Sequence, residues 1–394
     1  MIDASQNNFN EIKVIHSVSS WLPLTEVWLY NQVFFLPPEV ESHIVCERSE
    51  NLDQFALPNI HVLSDASKLR YYWDKGLRKL KLRRHLGYLV KQIKRYRIHI
   101  LHSQFGNMGW VNINAARSAN IKHVVTFYGF DVNRLPTIDP RWYDRYRRLF
   151  DHVDRVLCEG PFMAKCIVKM GCPEDKVQVH HLGVRVNEIA YEPRTWCRGE
   201  PLRVLIAASF REKKGVPYAL EALGRLKKEI PLQITIIGDA TFEPRSQHEK
   251  KKILDTVKRH SLEDCISFLG YQPHNILFKE AYKHHVFLSP SVTASDGDTE
   301  GGAPVAIIEM MATGMLVVST RHCDIPEIVK DGETGLLADE RDVEGLADKL
   351  MWLLNNTKRW SELSMAGRKH VEKEYDARIQ GIKLAAIYRD VLSS

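Results

Sequence analysis

The chain has no run of ~18 or more apolar residues, so no segment of it is expected to span a bilayer. Its opening, MIDASQNNFNEIKV, lacks a basic stretch followed by an apolar one, so no secretory signal is expected. The seven cysteines, Cys46, Cys158, Cys166, Cys172, Cys197, Cys265 and Cys323, are scattered and never form a C-x-x-C pair. That usage gives no zinc or redox motif and suits reduced thiols in a cytoplasm. There is no short-period repeat and no low-complexity tract. No D-x-D flanked by apolar residues suggests a divalent metal; the nearest candidate, Asp296-Gly297-Asp298, lies in a loop sequence. The excess of positive charge is only +6, so its placement matters more than its size.

What is present reads as two soluble domains. At 394 residues, with 44% hydrophobic and 26% charged, the chain is too long for one ordinary core. Short β-branched runs alternate with helical patterns. Strands are predicted at Lys13–Val18, His43–Val45, Ile98–His102, His123–Phe127, Arg155–Cys158 and Val177–His180. Further strands are predicted at Arg203–Ala207, Gln233–Ile237, Ile266–Leu269, Val286–Leu288 and Leu316–Ser319. Amphipathic stretches such as Val216–Lys228 and Val343–Leu354 lie between them. The alternation predicts α/β domains with parallel, Rossmann-like sheets. Asn187–Pro201 lacks periodicity, carries two prolines and precedes a fresh strand. The expected organisation is therefore a domain at 1–186, a linker at 187–201, a domain at 202–370 and a C-terminal helical segment at 371–394 that packs back on the first domain. A cleft between two such domains is the default place for a ligand.

The charge is concentrated. Leu69–His99 carries eleven Lys/Arg against the single acid Asp74, with Leu77, Leu80, Leu82, Leu86, Leu89, Val90 and Ile93 between them at roughly helical spacing. A basic amphipathic helix can lie on an anionic membrane surface, or it can simply bury its leucines and solvate its lysines. The interleaved residues are mostly leucine rather than base-stacking aromatics, so no nucleic acid is expected as a partner.

Phe287–Leu337 is the most informative segment. It reads as a strand, an acidic loop at Asp296–Ala303, a helix with Pro304 near its first position, and Gly314 after the helix end. Gly301 and Gly302 permit close backbone approach to a ligand, and the helix start offers free N–H groups and a positive dipole end to phosphate. Glu309, two turns on, suits hydrogen bonds to vicinal hydroxyls such as those of a ribose. Any one of these features alone is more simply a loop-capping glycine or a solvated glutamate.

Together they resemble the donor-sugar loop of retaining, nucleotide-sugar-dependent glycosyltransferases of family 4, which have the GT-B fold of two Rossmann-like domains facing each other across a cleft. Ile325-Pro326-Glu327-Ile328-Val329 followed by Gly332-Glu333-Thr334-Gly335-Leu336-Leu337 is similar to the family's I-P-E…G-x-x-G-L-L ending. Glu212-Lys213-Lys214-Gly215 resembles its E-K-K-G turn. Gly238-Asp239 and Gly270-Tyr271 resemble the turns beside the nucleotide. In the first domain, Leu22-Pro23-Leu24-Thr25-Glu26, His102-Ser103-Gln104-Phe105-Gly106 and Thr126-Phe127-Tyr128-Gly129-Phe130-Asp131 resemble the donor-facing loop, H-x-H-F and T-F-H-G-x-D elements of polysaccharide-assembling members.

The resemblance implies roles. Lys214 would hold the donor pyrophosphate, with Arg211 as a second cation and Glu300 toward the donor sugar. His102, Tyr128 and Asp131 would lie near the reacting sugar. The donor would be held by Thr25, Glu26, Gly238, Gly270, Tyr271, Gly301, Gly302, Ala303, Pro304, Val305 and Glu309. Neither a metal nor a cofactor is implied, because side-chain cations and a helix start neutralise the leaving group. The implied partners are a nucleotide-sugar donor and a sugar or lipid-linked acceptor. The location is cytoplasmic, peripheral on the inner face of the membrane if the basic stretch binds it. Three departures stand out. Eight residues rather than seven separate Glu300 from Glu309; Ser209 stands where the family arginine is aligned; and Tyr128 replaces the usual histidine. The histidine's role passes to the phenol, to His102 or to nobody. A sugar-nucleotide epimerase of the same fold, or a catalytically lapsed sugar-nucleotide-binding protein, would carry much of the same pattern.

Overall fold

The computed structural model describes residues 11–23, 26–302 and 304–394, so Leu24, Thr25 and Ala303 lie outside the described residues. The chain divides into two compact units. The first comprises Met1–Glu159, Ala164–Gly183 and Ala377–Ser394; the second comprises Gly160–Met163 and Val184–Asp376.

The first unit is built on β1 (Ile12–Ser17), β2 (Ser20–Trp21), β3 (Val40–Cys46), β4 (Arg48–Ser49), β5 (Ile60–Val62), β6 (Ile100–Gln104), β7 (Lys122–Thr126), β8 (Arg155–Cys158) and β9 (Val177–Val179). Seven of these form one sheet in the order β5-β3-β1-β6-β7-β8-β9, parallel throughout, while β2 and β4 pair separately. Alternate residues serve opposite faces, as the two-residue period of a strand requires. Ile12 and Val14 pack with Leu384, Ile387, Tyr388 and Val391 of the C-terminal helix Ala377–Ser393. Ile15 packs instead with Leu89, Ile93, Ala115 and Ala116.

The second unit holds β10 (Leu202–Ala207), β11 (Leu232–Ile237), β12 (Ile266–Phe268), β13 (Val286–Ser289), β14 (Leu316–Thr320) and β15 (Leu336–Ala338), parallel in the order β12-β11-β10-β13-β14-β15. Val204, Ile206 and Ile234 face the helices Val216–Leu226 and Val343–Asn355, while Leu205 and Phe287 face Ile307, Ile308 and Met311. Helices thus cover both faces of each sheet, the condition for all-parallel strands with near-continuous apolar runs.

Two boundaries differ from the expectation. Residues 187–201 are not a free linker but belong to the second unit. The buried Arg194 guanidinium there donates to the carbonyls of His284 at 2.9 Å, Ala281 at 3.0 Å and Thr313 at 3.1 Å. At the other end the second unit continues through helix Trp360–Glu374 to Asp376, beyond the expected limit of 370.

The basic stretch is two helices rather than one, Lys68–Lys79 and Gly87–Tyr96. Asp74, fully buried, accepts from the Gly87 and Tyr88 amides at 3.0 and 2.9 Å and so caps the second helix. Arg83 also binds Asp74, Arg78 and Lys75 bind Glu47, and Arg84 lies 4.3 Å over the Trp110 ring. Leu86, Leu89 and Ile93 are buried, whereas Leu69, Tyr72, Trp73, Leu80 and Leu82 are exposed. Among the described residues, no helix is long and apolar enough to cross a membrane.

Candidate active site

In the second unit the strand ends bring the E-K-K-G turn against the acidic loop. Gly215 has φ +63°, and a Cβ there would meet the Pro290 carbonyl oxygen at 1.9 Å, so only glycine lets the turn approach this closely. The Val292 amide donates to the Lys213 carbonyl at 2.8 Å, stitching turn to loop. The Lys214 ammonium then donates to Glu300 Oε2 at 2.9 Å, and Ser291 donates its hydroxyl to Glu300 Oε1 at 2.8 Å. Burial alone would push the Glu300 carboxyl up. The charges of Lys214 and Lys213 outweigh it and hold the group at about 2, so it is an anion. Lys213 itself donates to the Thr299 carbonyl at 2.7 Å and to Asp298 at 3.3 Å.

The second cation whose field reaches Glu300 is therefore Lys213. Arg211, expected as a second cation on the donor pyrophosphate, is exposed and lines a cavity of about 430 Å³ with Glu212, Arg245, Glu249 and Asp296. The Lys214 amide donates to the Arg211 carbonyl at 2.9 Å, while no hydrogen bond or ion pair of the Arg211 guanidinium to Lys214 or Glu300 is seen among the described residues. The extra residue between Glu300 and Glu309 does not pull Glu300 away from Lys214. Gly301 at φ +80° turns the chain immediately after it.

Glu309 lies on helix Val305–Ala312, whose N-cap is Pro304. One of its carboxylate oxygens is 2.8 Å from Nε2 of His274, a residue that the sequence reading missed because a lone histidine after a turn carries no pattern. The hydrogen bond to Glu309 raises the His274 imidazole pKa. Gly238 pairs with Gly270 by a 2.8 Å backbone bond, and the exposed Tyr271 anchors its hydroxyl on the Asp239 carbonyl at 2.8 Å. Gly238 has φ +123°, and a Cβ there would lie 1.9 Å from the Ala208 carbonyl oxygen. Gly301 and Gly302 are buried in the loop ahead of Pro304.

The candidates of the first unit are buried and hydrogen-bonded within that unit. His102 is fully buried within β6. Its Nδ1 lies 2.7 Å from the Tyr388 hydroxyl and its Nε2 2.7 Å from Thr126 Oγ1. Burial pushes its pKa well down, so it is a neutral core histidine with both nitrogens engaged. Tyr128 is 4% exposed, donates to Gln104 Oε1 at 2.7 Å, and packs between Trp28 and Phe105. Burial raises its phenol far above the neutral range, so it is no general base. Asp131 is fully buried and accepts from the amides of Tyr128, at 2.7 Å, and of Gly106. Burial pushes its carboxyl up to about 7 against the pull of those amides. It ties the loop after β6 to the loop after β7, a positioning role. Glu26 stands at the N-cap of helix Val27–Phe34, where burial and then Glu50 raise its pKa.

A lysine held on a buried glutamate at a glycine-rich strand end, with a second glutamate about one turn into the next helix, fits a glycosyltransferase. Residues 195–370 match the family model for glycosyl transferases group 1, and residues 26–188 match that for glycosyltransferase family 4. The chain belongs to this glycosyltransferase family. It is 34% identical over 267 residues to AmsK of Erwinia amylovora, an amylovoran biosynthesis glycosyltransferase, the match covering 68% of this chain and 63% of that protein. It is 29% identical to WcaL of Escherichia coli, assigned to colanic acid biosynthesis as a glycosyltransferase, over 74% of this chain and 70% of that one. Among solved structures, a glycosyltransferase from Rickettsia africae superposes with a TM-score of 0.75 at 17% identity, covering 97% of this chain and 99% of that one. HepE of Anabaena in complex with UDP gives a TM-score of 0.76 at 15% identity over 96% of this chain and all of that one. These likenesses establish the GT-B fold.

Proposed function

We propose that this protein transfers a sugar from a nucleotide-sugar donor to an acceptor hydroxyl, with retention of anomeric configuration, in surface polysaccharide assembly. The Lys214–Glu300 pair carries the reading. In this reading Lys214 is the preorganised ammonium that meets the leaving diphosphate, beside the Glu300 carboxylate turned toward the donor sugar; the 2.9 Å Lys214–Glu300 bond supports it. The names of AmsK and WcaL support a polysaccharide product, and the UDP complex of HepE supports a nucleoside diphosphate donor.

In this mechanism Glu309 accepts the ribose hydroxyls, and Lys214 with the start of helix Val305–Ala312 neutralises the diphosphate. The departing phosphate takes the acceptor's proton on the same face, so neither a carboxylate nucleophile nor a metal is needed. The acceptor is a sugar or lipid-linked sugar. The protein reaches it as a peripheral protein on the cytoplasmic face of an anionic membrane, through Leu69, Trp73, Leu80 and Leu82 flanked by the exposed Lys68, Lys79 and Lys81.

The test is nucleoside diphosphate release from a nucleotide-sugar panel with and without acceptor glycans. Acceptor-dependent release with a new α- or β-linkage of unchanged configuration is expected. A new sugar isomer without acceptor would make the protein an epimerase, and binding without any turnover would make it a lapsed transferase.

A further inference from the structure

The loop that carries Glu300 contains Gly297, Gly301 and Gly302; its inner backbone bonds, from the Ala294 amide to the Asp298 carbonyl at 2.8 Å and from the Gly297 amide to the Ala294 carbonyl at 2.9 Å, do not involve Glu300. Two neighbouring strand ends supply the fixing. His322, 1% exposed, follows β14, and Glu340 follows β15. The Glu300 amide donates to His322 Nε2 at 3.1 Å, and His322 Nδ1 lies 2.6 Å from Glu340 Oε1.

A backbone N–H can only donate, so Nε2 must offer its lone pair. The ring hydrogen then sits on Nδ1 and is given to the Glu340 carboxylate, which sets the tautomer. Glu340 also accepts from the Thr293 amide at 2.8 Å, holding the loop at a second point. The Cys323 thiol lies 3.2 Å from the same Nε2. Burial pushes that thiol up to about 12, so it stays protonated and can donate to the Nε2 lone pair.

We propose that His322, oriented by Glu340, is a positioning residue for glycosyl transfer: it fixes the main chain of Glu300 so that the carboxylate stays on Lys214 and faces the donor sugar. This rests on the reading of Glu300 given above. Neither residue touches the donor, and each acts through the loop.

Two consequences follow. His322→Leu fills the ring's space but accepts nothing, freeing the Glu300–Gly302 segment. Glu340→Gln can accept from Thr293 only by turning its amide N–H₂ toward His322. That forces the other tautomer, which sets Nε2–H against the Glu300 N–H. A reacting group displaced by about 1 Å loses on the order of 10²-fold in rate.

The experiment is a double-mutant cycle in kcat, read beside the affinity for free nucleoside diphosphate. His322→Leu and Glu340→Gln are each expected to lower kcat tenfold or more and to change nucleoside diphosphate affinity less than threefold. In a Glu300→Gln background the same substitutions should cost less than threefold. Should His322→Leu fail to fold, Glu340→Gln and the conservative His322→Gln, whose amide oxygen can still accept from Glu300, carry the test. His322→Gln is then expected to keep more activity than Glu340→Gln. Equal losses in both backgrounds would make His322 a merely structural residue and overturn the proposal. A Glu300→Gln variant that is inactive while His322→Leu and Glu340→Gln retain full activity would overturn it alone. A fully active Glu300→Gln would overturn the reading of Glu300 and this inference together.

Discussion

Replacing Lys214 by alanine removes the ammonium 2.9 Å from Glu300 and leaves a carboxylate whose side chain is only 6% exposed. Lys213 cannot easily take its place, because its own ammonium is held by the Thr299 carbonyl at 2.7 Å and by Asp298. For catalysis, loss of one preorganised partner at a developing charge is worth about 10²–10³-fold in kcat, about 3–4 kcal/mol. Affinity for the nucleotide should fall less than tenfold, since charge on the leaving phosphate grows toward the transition state.

Stability gives a second, independent readout. Holding Glu300 at about 2 instead of 4.5 corresponds to at most about 3 kcal/mol, and part of it survives through Lys213 and Ser291. A loss of about 1–3 kcal/mol at neutral pH is expected. The native pKa is depressed, so this stabilisation is present above about 4.5 and disappears as pH falls toward about 2. The gap in melting temperature between wild type and variant should therefore narrow over that window. Steady-state kinetics, calorimetry with the nucleoside diphosphate and melts from pH 7 to pH 3 measure all three. Less than threefold loss in both kcat and affinity would mean that Lys214 is a surface residue and would refute the assignment.

Four further outcomes are expected. Glu309→Gln should weaken nucleoside diphosphate binding about tenfold with little effect on kcat, because a ribose contact is equal in ground and transition states; unchanged affinity by calorimetry would count against it. Tyr128→Phe should lose less than tenfold in kcat and about 1 kcal/mol of stability, the worth of its bond to Gln104; a thousandfold loss would make the hydroxyl catalytic. EDTA should leave turnover intact, and full loss restored by magnesium or manganese would overturn the metal-free mechanism. Vesicle sedimentation should show salt-sensitive binding to anionic but not neutral bilayers, abolished by combined Trp73→Ser, Leu80→Ser and Leu82→Ser. Equal partitioning of wild type and variant would leave that face as ordinary surface.

The second unit was the more legible half, for a physical reason. A phosphate-binding turn needs glycines at fixed backbone positions and a cation at a fixed offset, so Gly215, Lys214, Pro304 and Glu309 stand out in the sequence itself. The central strands of both sheets also read directly, because β-branched residues buried on two faces form continuous runs. Of the four three-residue edge strands, Val177–Val179 and Ile266–Phe268 read directly, whereas Ile60–Val62 and Leu336–Ala338 did not. In the first unit, His102, Tyr128 and Asp131 were chemically suggestive, yet polar residues buried at strand ends satisfy one another, and only their burial reveals it. The break between the two basic helices went unseen because Asp74 acts as a cap for a helix thirteen residues away. His322 and Glu340 meet Glu300 only through the parallel order of β13, β14 and β15.

The most direct test of nucleotide-sugar recognition is a thermal-shift panel of nucleoside diphosphate sugars on the intact protein. A ligand at 100 times its Kd stabilises the folded state by about 2.7 kcal/mol. For a unit of this size that raises the melting temperature by roughly 5–10 °C. At least one nucleotide sugar should produce such a rise in wild type and a clearly smaller one in Glu309→Gln. A panel in which no member shifts the melting of the folded protein at millimolar concentration would contradict the account.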